Sequence, residues 1–382
     1  MAVALVNARV LTDDGFRDDV AVLVNGDRIT GIVAASDLRA TTALRRDLHG
    51  HFLLPGFIDC QVNGGGDVLF NDAPTVDTIR RIGAAHRRYG TTGFLPTLIS
   101  DSPEAMAAAI AATDAAIAAG VPGVLGIHLE GPYLAPQRKG AHDAAHFVRP
   151  QAGDIARAAA LRGGVTLLTL APEQVDDAAL IEFVRRGVVI AAGHTAATYE
   201  QLMHAFSLGV RGVTHLFNAM TPLTGREPGA VGAALDHADS WCGLINDGHH
   251  VHAASLRTAI RAKPRGRLFL VTDAMPPVGG ERDEFLLAGQ RVLVRDGLCV
   301  NEQGALAGSA LDMLTAVRNT VERLGLPLED AARMASTWPA EFLGLRDRGR
   351  IAAGCAADFV VLGGDWTIRE TWIAGCSDAT LR

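Results

Sequence analysis

Four residues able to bind a metal or move a proton stand at the ends of short apolar runs in the middle of this 382-residue chain. Glu130 closes the run GVLGIHLE, His194 closes GVVIAAGH, His215 closes RGVTH and Asp273 closes LFLVTD. One carboxylate and two neutral imidazoles make a donor set of borderline softness that suits Zn2+ first, and also Fe2+, Mn2+ or Co2+. Three protein ligands leave one coordination position open, as metal-assisted hydrolysis requires. Asp273 then has the chemistry of a general base that takes a proton from an attacking water and returns it to the leaving group. Taken singly, each histidine is as readily a hydrogen-bonded core residue, and Asp273 ahead of two prolines reads equally well as a turn or N-cap aspartate. Their shared placement at the ends of runs favours the metal reading.

Such runs are the signature of buried parallel strands, and the ends of parallel strands are where a closed α/β barrel keeps its chemistry. Residues 53–62, 92–99, 124–130, 165–171, 188–194, 212–215, 242–246 and 268–273 read as strands. Alanine-rich helical segments such as 102–119 and 176–186 fall between most of them. Eight strands alternating with helices predict an α/β fold, a (β/α)8 TIM-like barrel. An open doubly wound sheet is the alternative, but Gly64-Gly65-Gly66 after the first strand is neither a dinucleotide nor a phosphate loop. Both ends of the chain have a β texture, with Asn25-Gly26 as a hairpin signal near the start. This predicts a small β-sandwich from residues 1–52 and 350–382 flanking a barrel over 53–349.

On the first barrel strand, Gln61 and Asn63 lie two apart and so share a face. Many metal-dependent hydrolases of this architecture carry His-x-His there, ligating a second metal. Neutral amides are poor ligands for a transition metal, so the pair predicts a single ion. His128 shares a face with Glu130, and a supporting or core role fits it better than ligation.

A net charge of -7 and the lack of any Lys/Arg-rich block speak against nucleic-acid binding. The N-terminal stretch has no basic region before its apolar residues, and no apolar run reaches eighteen residues, which predicts neither a cleaved signal nor a membrane span. Cys60, Cys242, Cys299, Cys355 and Cys376 are scattered and odd in number, as in a reducing, cytoplasmic setting.

The segments HLEGPYLAPQRKGAH, GHT, THLFNAMTPLTGREPG, DGHHV, TDAM and LAGSALDM resemble those of the N-acetylglucosamine-6-phosphate deacetylases, in the single-metal branch of the amidohydrolase superfamily. The resemblance also takes in PGFID and the closing GRIAAGCAADFVVL, which specify only the superfamily. It implies a barrel with a sandwich from both termini, Glu130, His194 and His215 as metal ligands, and Asp273 as catalytic acid and base. It further implies substrate contacts from Ala141, His142, Asn218, Ala219 and Arg226, from the turn of Asp247, Gly248, His249 and His250, and from Leu306, Ala307 and Gly308. No family role is assigned to His249 or His252 individually, and both are expected at the rim or the surface. Arg226 alone would read as a solvated loop arginine paired with Glu227. Within its motif it is expected to bind phosphate, in its own subunit or across a homodimer.

The activity implied is deacetylation of N-acetyl-D-glucosamine 6-phosphate to D-glucosamine 6-phosphate and acetate, in amino-sugar catabolism or cell-wall recycling. N-acetylgalactosamine 6-phosphate or another N-acyl compound is the alternative substrate. A non-catalytic scaffold barrel is the alternative of another class, and such relatives usually lose ligands or the base.

Overall fold

The computed structural model describes residues 2–295 and 297–378. Its centre is an eight-stranded parallel sheet: β1 (Phe57–Val62), β2 (Thr91–Ile99), β3 (Gly126–Glu130), β4 (Val165–Leu170), β5 (Val189–Ala192), β6 (Gly212–Val213), β7 (Trp241–Leu244) and β8 (Leu268–Leu270), each paired with its sequence neighbour. The sheet closes past its last strand. Asp273 N–H donates to Gln61 O at 3.1 Å, while Asn63 and Gly64 both donate to Ala274 O at 2.9 Å. Between and after the strands run the helices α1 (Val76–Arg87), α2 (Pro103–Ala118), α3 (Ala152–Ala158), α4 (Asp177–Arg185), α5 (Tyr199–Ser207), α6 (Gly229–Asp236), α7 (Ala253–Ala262) and α8 (Met313–Glu322). Their starts are set locally: Ser102 accepts from Ala105 N–H with Pro103 opening α2, and Thr198 and Gln201 cap α5 reciprocally. The chain is the (β/α)8 barrel that its alternating pattern predicts.

Two antiparallel-rich sheets flank the barrel. One joins Val3–Val6, Val20–Asn25, Arg28–Ala34 and Leu44–Asp47. The other mixes both ends of the chain, because Phe359–Leu362 pairs antiparallel with Phe52–Pro55 while Arg9–Thr12 pairs along the latter's other edge. Leu5, Val22, Leu53, Phe359 and Trp372 share one core beneath these sheets. The last residues of the expected sandwich, 379–382, lie outside the described residues.

The expected first strand, 53–62, is two strands. Phe52–Pro55 belongs to the outer sheet and β1 starts at Phe57, with Gly56 between them. A side chain at Gly56 would come within 2.1 Å of Thr92 Oγ1, so only glycine lets the chain pass from one sheet to the other here. The barrel also carries an element the hydrophobic pattern did not suggest. Between β8 and α8 the strands Glu284–Leu287, Gln290–Arg295, Leu298–Asn301 and Leu306–Ser309 form a small antiparallel sheet. Its apolar face (Leu287, Val292, Cys299, Ala307) packs on Leu69, Ile99 and Met275 at the mouth of the barrel. Among the described residues no helix is long and apolar enough to cross a membrane.

Candidate metal centre and active site

Glu130 is the last residue of β3, and Gly131 follows it in left-handed backbone at φ 86°. The other three residues lie just past their strands rather than on them. β5 ends at Ala192, β6 at Val213 and β8 at Leu270, and His194, His215 and Asp273 have φ of 48°, 31° and 53°. Non-glycine residues rarely take positive φ, and where they do the surroundings hold them there. Asp273 shows how. Its N–H donates to Gln61 O, and its own carbonyl accepts from Ser309 N–H at 2.9 Å. Ser309 Oγ in turn donates to Thr272 O at 2.6 Å. The fully buried Asp59, whose carboxyl burial pushes up to about 7, takes Thr272 Oγ1–H at 2.6 Å. The kinks turn all three side chains in over the strand ends, which straight strands would not do.

There the side chains converge. His215 Nε2 and His194 Nε2 lie 3.0 and 3.2 Å from Glu130 Oε1 and 3.1 Å from each other. His194 Nδ1 donates to the Arg138 carbonyl at 2.9 Å, so its Nε2 presents a lone pair. All three residues are buried, and their candidate ligand atoms fall within 4.8 Å of one another. Two imidazole nitrogens and a carboxylate oxygen crowded this closely repel unless a proton or cation stands among them. The donor set therefore fits a divalent ion of the zinc class. Burial opposes the charge on Glu130, yet the bonds from His194 and His215 hold its carboxyl well below the usual range.

The Gln61 and Asn63 amides are turned toward Asp273 and hold its carboxylate. Gln61 Nε2 donates to Asp273 Oδ1 at 3.1 Å and to Glu130 Oε1 at 3.2 Å, and Asn63 Nδ2 donates to Asp273 Oδ1 at 2.7 Å. Burial, and then the charge of Glu130, raises the Asp273 carboxyl to about 6. His128 lies inside the barrel, bonded on one side to Thr97 and on the other to Thr169 at 2.8 Å, with burial pushing it down to about 4. Both of its ring nitrogens are thus taken by threonine hydroxyls in the barrel floor.

A cavity of about 210 Å3 opens over this set. Besides Glu130, His194, His215 and Asp273, its wall takes in Ala141, His142, Asn218, Ala219, His250, Leu306 and Gly308, each singled out by the sequence. The Ser100 backbone N–H reaches His142 Nδ1 at 3.3 Å, so Nε2 carries the proton and stands 3.7 Å from Glu130 Oε2. Burial pushes His142 down to about 3, and it is a neutral donor. His250 Nδ1 bonds Asp247 Oδ2 at 2.6 Å, which leaves Nε2 for a ligand. Although burial opposes it, that bond holds Asp247 at about 2.

The other expected contacts stand elsewhere. Asp247, Gly248 and His249 are not on the cavity wall; Asp247 acts from behind, taking the His249 and His250 N–H groups and the imidazole. Ala307 is buried in the inserted sheet's own core. Arg226 is exposed on the loop before α6, and Glu227, its supposed partner, is instead occupied by the N–H groups of Tyr199 and Gly229. Apolar wall residues went unnoticed in the sequence: Ile99, Ile245, Met275 and Leu287. The signal for Ile99 and Met275 was present, since the first ends β2 and the second lies two residues past Asp273. Leu287 had none, because the inserted sheet was not foreseen.

A parallel barrel with a buried carboxylate–imidazole cluster and an anchored carboxylate at its C-terminal mouth defines a metal-dependent hydrolase of the barrel type. The chain belongs to the amidohydrolase family, whose profile matches residues 52–377. It is similar to N-acetylgalactosamine-6-phosphate deacetylase of Shewanella sp. (strain ANA-3), 42% identical over 370 residues covering 96% of this chain and 94% of that protein. To N-acetylglucosamine-6-phosphate deacetylase of Haemophilus influenzae it is 34% identical over 98% of this chain and 99% of the relative. The crystal structure of N-acetylglucosamine-6-phosphate deacetylase from Pasteurella multocida superposes with a TM-score of 0.94 at 34% identity, covering 98% of this chain and 99% of that one.

Proposed function

We propose that this chain removes the acetyl group of N-acetyl-D-glucosamine 6-phosphate, yielding D-glucosamine 6-phosphate and acetate, in amino-sugar catabolism or cell-wall recycling. The observation that carries the reading is the Asp273 carboxylate, fixed at Oδ1 by two amides beside the Glu130, His194 and His215 cluster in one cavity. Those three residues would hold one divalent ion, Zn2+ before Fe2+, Mn2+ or Co2+, and when bound it would supply Lewis acidity toward the amide carbonyl and the attacking water.

Asp273 takes the water's proton and delivers it to the leaving sugar nitrogen. A carboxyl raised to about 6 suits both halves of that transfer. His142, through Nε2–H, and His250, through Nε2, face the sugar and the acyl oxygen. Ile99, Met275 and Leu287 form a dry wall beside them.

Among the described residues no Lys or Arg lines the cavity itself, so in this reading the phosphate takes its counter-charge from a side chain beyond these walls. The exposed Arg226 serves in this reading, acting across a homodimer alongside Asn218 and Ala219 of the neighbouring site. Five unpaired cysteines, four of them buried, support a cytoplasmic protein.

A second substrate, N-acetyl-D-galactosamine 6-phosphate, is favoured by one observation: the 42% identical relative carries that activity in its name. The deciding experiment measures acetate release and kcat/KM on both epimers, each with and without the 6-phosphate, alongside metal analysis of the purified protein. The phosphosugars are expected to be the only efficient substrates, with one metal per chain and the glucosamine epimer ahead. Equal rates on the neutral sugars would overturn the phosphate reading.

A further inference from the structure

Behind the ligand cluster the barrel interior holds a second, far smaller cavity. Gln61, His128, Thr214, His215, Gly243 and Phe269 are among its walls, and all its lining residues are buried. It gives the centre of a water molecule about 10 Å3 to occupy, enough for one. Two buried polar atoms of these wall residues have no partner among the described residues: Gln61 Oε1 and His215 Nδ1. Turning the Gln61 amide over would not satisfy its oxygen. Gln61 Nε2 is committed to Glu130 and Asp273, which sends Oε1 the other way. His215 Nε2 faces Glu130 Oε1, so when that nitrogen acts as a ligand the ring proton must sit on Nδ1.

A third partner is available at the same wall. Thr97 Oγ1 accepts from Val62 N–H at 2.9 Å and bonds His128 Nδ1 at 3.2 Å; His128 Nε2 meets Thr169 Oγ1 at 2.8 Å, which meets Thr214 Oγ1 at 2.6 Å. With Thr97 donating to Leu95 O, this chain runs in one direction, and Thr214 Oγ1 is left with a lone pair. One donor and two acceptors then belong to residues that wall a space of one molecule, and a water there would accept from His215 Nδ1–H and donate to Gln61 Oε1 and Thr214 Oγ1.

We propose that a single ordered water in this cavity fixes the tautomer and tilt of His215, and so makes Gln61, Thr214 and the water the positioning partners of the metal ligand. The inference rests on Glu130, His194 and His215 holding a cation. It assigns to the barrel floor the part that a backbone carbonyl plays for His194, whose Nδ1–H goes to Arg138 O.

Gly243 supplies the test. A Cβ added there would stand 3.5 Å from His215 N, Phe269 Cε2 and Val271 Cγ1, ordinary contacts with three cavity residues. Gly243→Ala thus fills the space without a clash and displaces the water. Zinc-loaded protein titrated with a competing chelator should show Zn2+ affinity lowered about tenfold or more, the usual effect of losing a ligand's outer partner. The melting temperature of the metal-free protein should fall as well, because a buried ring nitrogen and a buried amide oxygen both lose their partner. Gly243→Ser, whose hydroxyl can stand near the water's place, should regain most of the affinity.

Unchanged affinity in Gly243→Ala, with a melting temperature equal or higher, would mean that a dry void had been filled, and overturns the proposal. So does a serine variant as weak as the alanine one, which would assign the loss to bulk. A high-resolution crystal structure of the holoenzyme should show the water within hydrogen-bond distance of Gln61 Oε1 and His215 Nδ1, and a cavity without density overturns it. Wild-type protein that takes up no zinc at all fails the metal reading itself, a result distinct from any of these.

Discussion

Asp273 and Asp247 are two partly buried carboxylates set to opposite tasks by what surrounds them. Asp273 is raised to about 6 by burial and the nearby Glu130, and so can take and give a proton. Asp247 is held at about 2 by His250 and two backbone N–H groups, and so stays an acceptor that dictates where the imidazole keeps its proton. Asp273→Asn keeps the shape and both amide neighbours but cannot accept a proton; kcat should drop roughly a hundredfold or more while KM changes little. A near-normal kcat would move the base to another residue. Asp247→Asn should lower kcat about tenfold or more at nearly constant KM, because the ring loses its ionised partner and the other tautomer becomes available. Steady-state kinetics separates the outcomes: a change confined to KM would make Asp247 a substrate contact after all.

At the scale of elements, what the sequence makes legible is what packing demands. Runs such as GVLGIHLE are apolar because strands inside a barrel are covered on both faces, and so their number, order and parallel sense follow from pattern alone. The donors at their ends are legible for the same reason, since Glu130, His194, His215 and Asp273 each interrupt a buried run. The left-handed turn at three of these four is not legible, because the mild tolerance of Asp and His for positive φ does not specify it, and at Asp273 long-range partners such as Ser309 and Asp59 hold it. The inserted sheet of residues 284–309 was missed because its strands are half exposed and rich in charge, unlike the barrel runs beside it. Gly56 belongs here too. It is silent in the sequence, yet a methyl at this position would overlap Thr92 at 2.1 Å where the outer sheet hands over to β1. Gly56→Ala should destabilise the fold by about 1–3 kcal/mol, as overpacking does, and Thr92→Gly in the same chain should restore part of it. Denaturant unfolding of the single and double variants measures both, and additive losses would show that the two residues do not meet.

For the whole molecule, buried titratable groups set how stability varies with pH. In the unfolded chain histidine takes up a proton near 6.5, whereas His86, buried on α1 against Gly64 O, does so only at about 4. Between those values the unfolded state binds more protons, so this residue makes stability rise with pH across that window. His128, at about 4, and His142, at about 3, act in the same sense. Asp59, at about 7, and Asp273, at about 6, act oppositely, holding protons in the fold that the unfolded chain releases near 3.8. These two carboxyls offset part of the rise in stability between about pH 4 and about pH 6 that the three histidines confer on the metal-free protein. His86→Gln keeps an N–H for Gly64 O and removes the titration, so the slope should flatten by about 1.4 kcal/mol per pH unit. Denaturant unfolding at several pH values checks this, and an unaltered slope would show that His86 does not titrate in this window.

The pairing of Phe359–Leu362 with Phe52–Pro55 also sets a timetable for synthesis. Phe52–Pro55 leaves the ribosome long before its neighbour, because every barrel strand and helix is made in between. Until then one edge of that early strand has bare N–H and C=O groups, the kind of edge that recruits strands from other molecules. Closure of the outer sheet comes last, and it joins two segments separated by most of the chain, the contact type that forms slowly and leaves a nascent protein exposed. The barrel, whose neighbours in space are neighbours in sequence, can assemble as it emerges, while its N-terminal flank waits for the tail. Crowded expression, in which many unfinished copies wait side by side, is therefore where this architecture is most vulnerable.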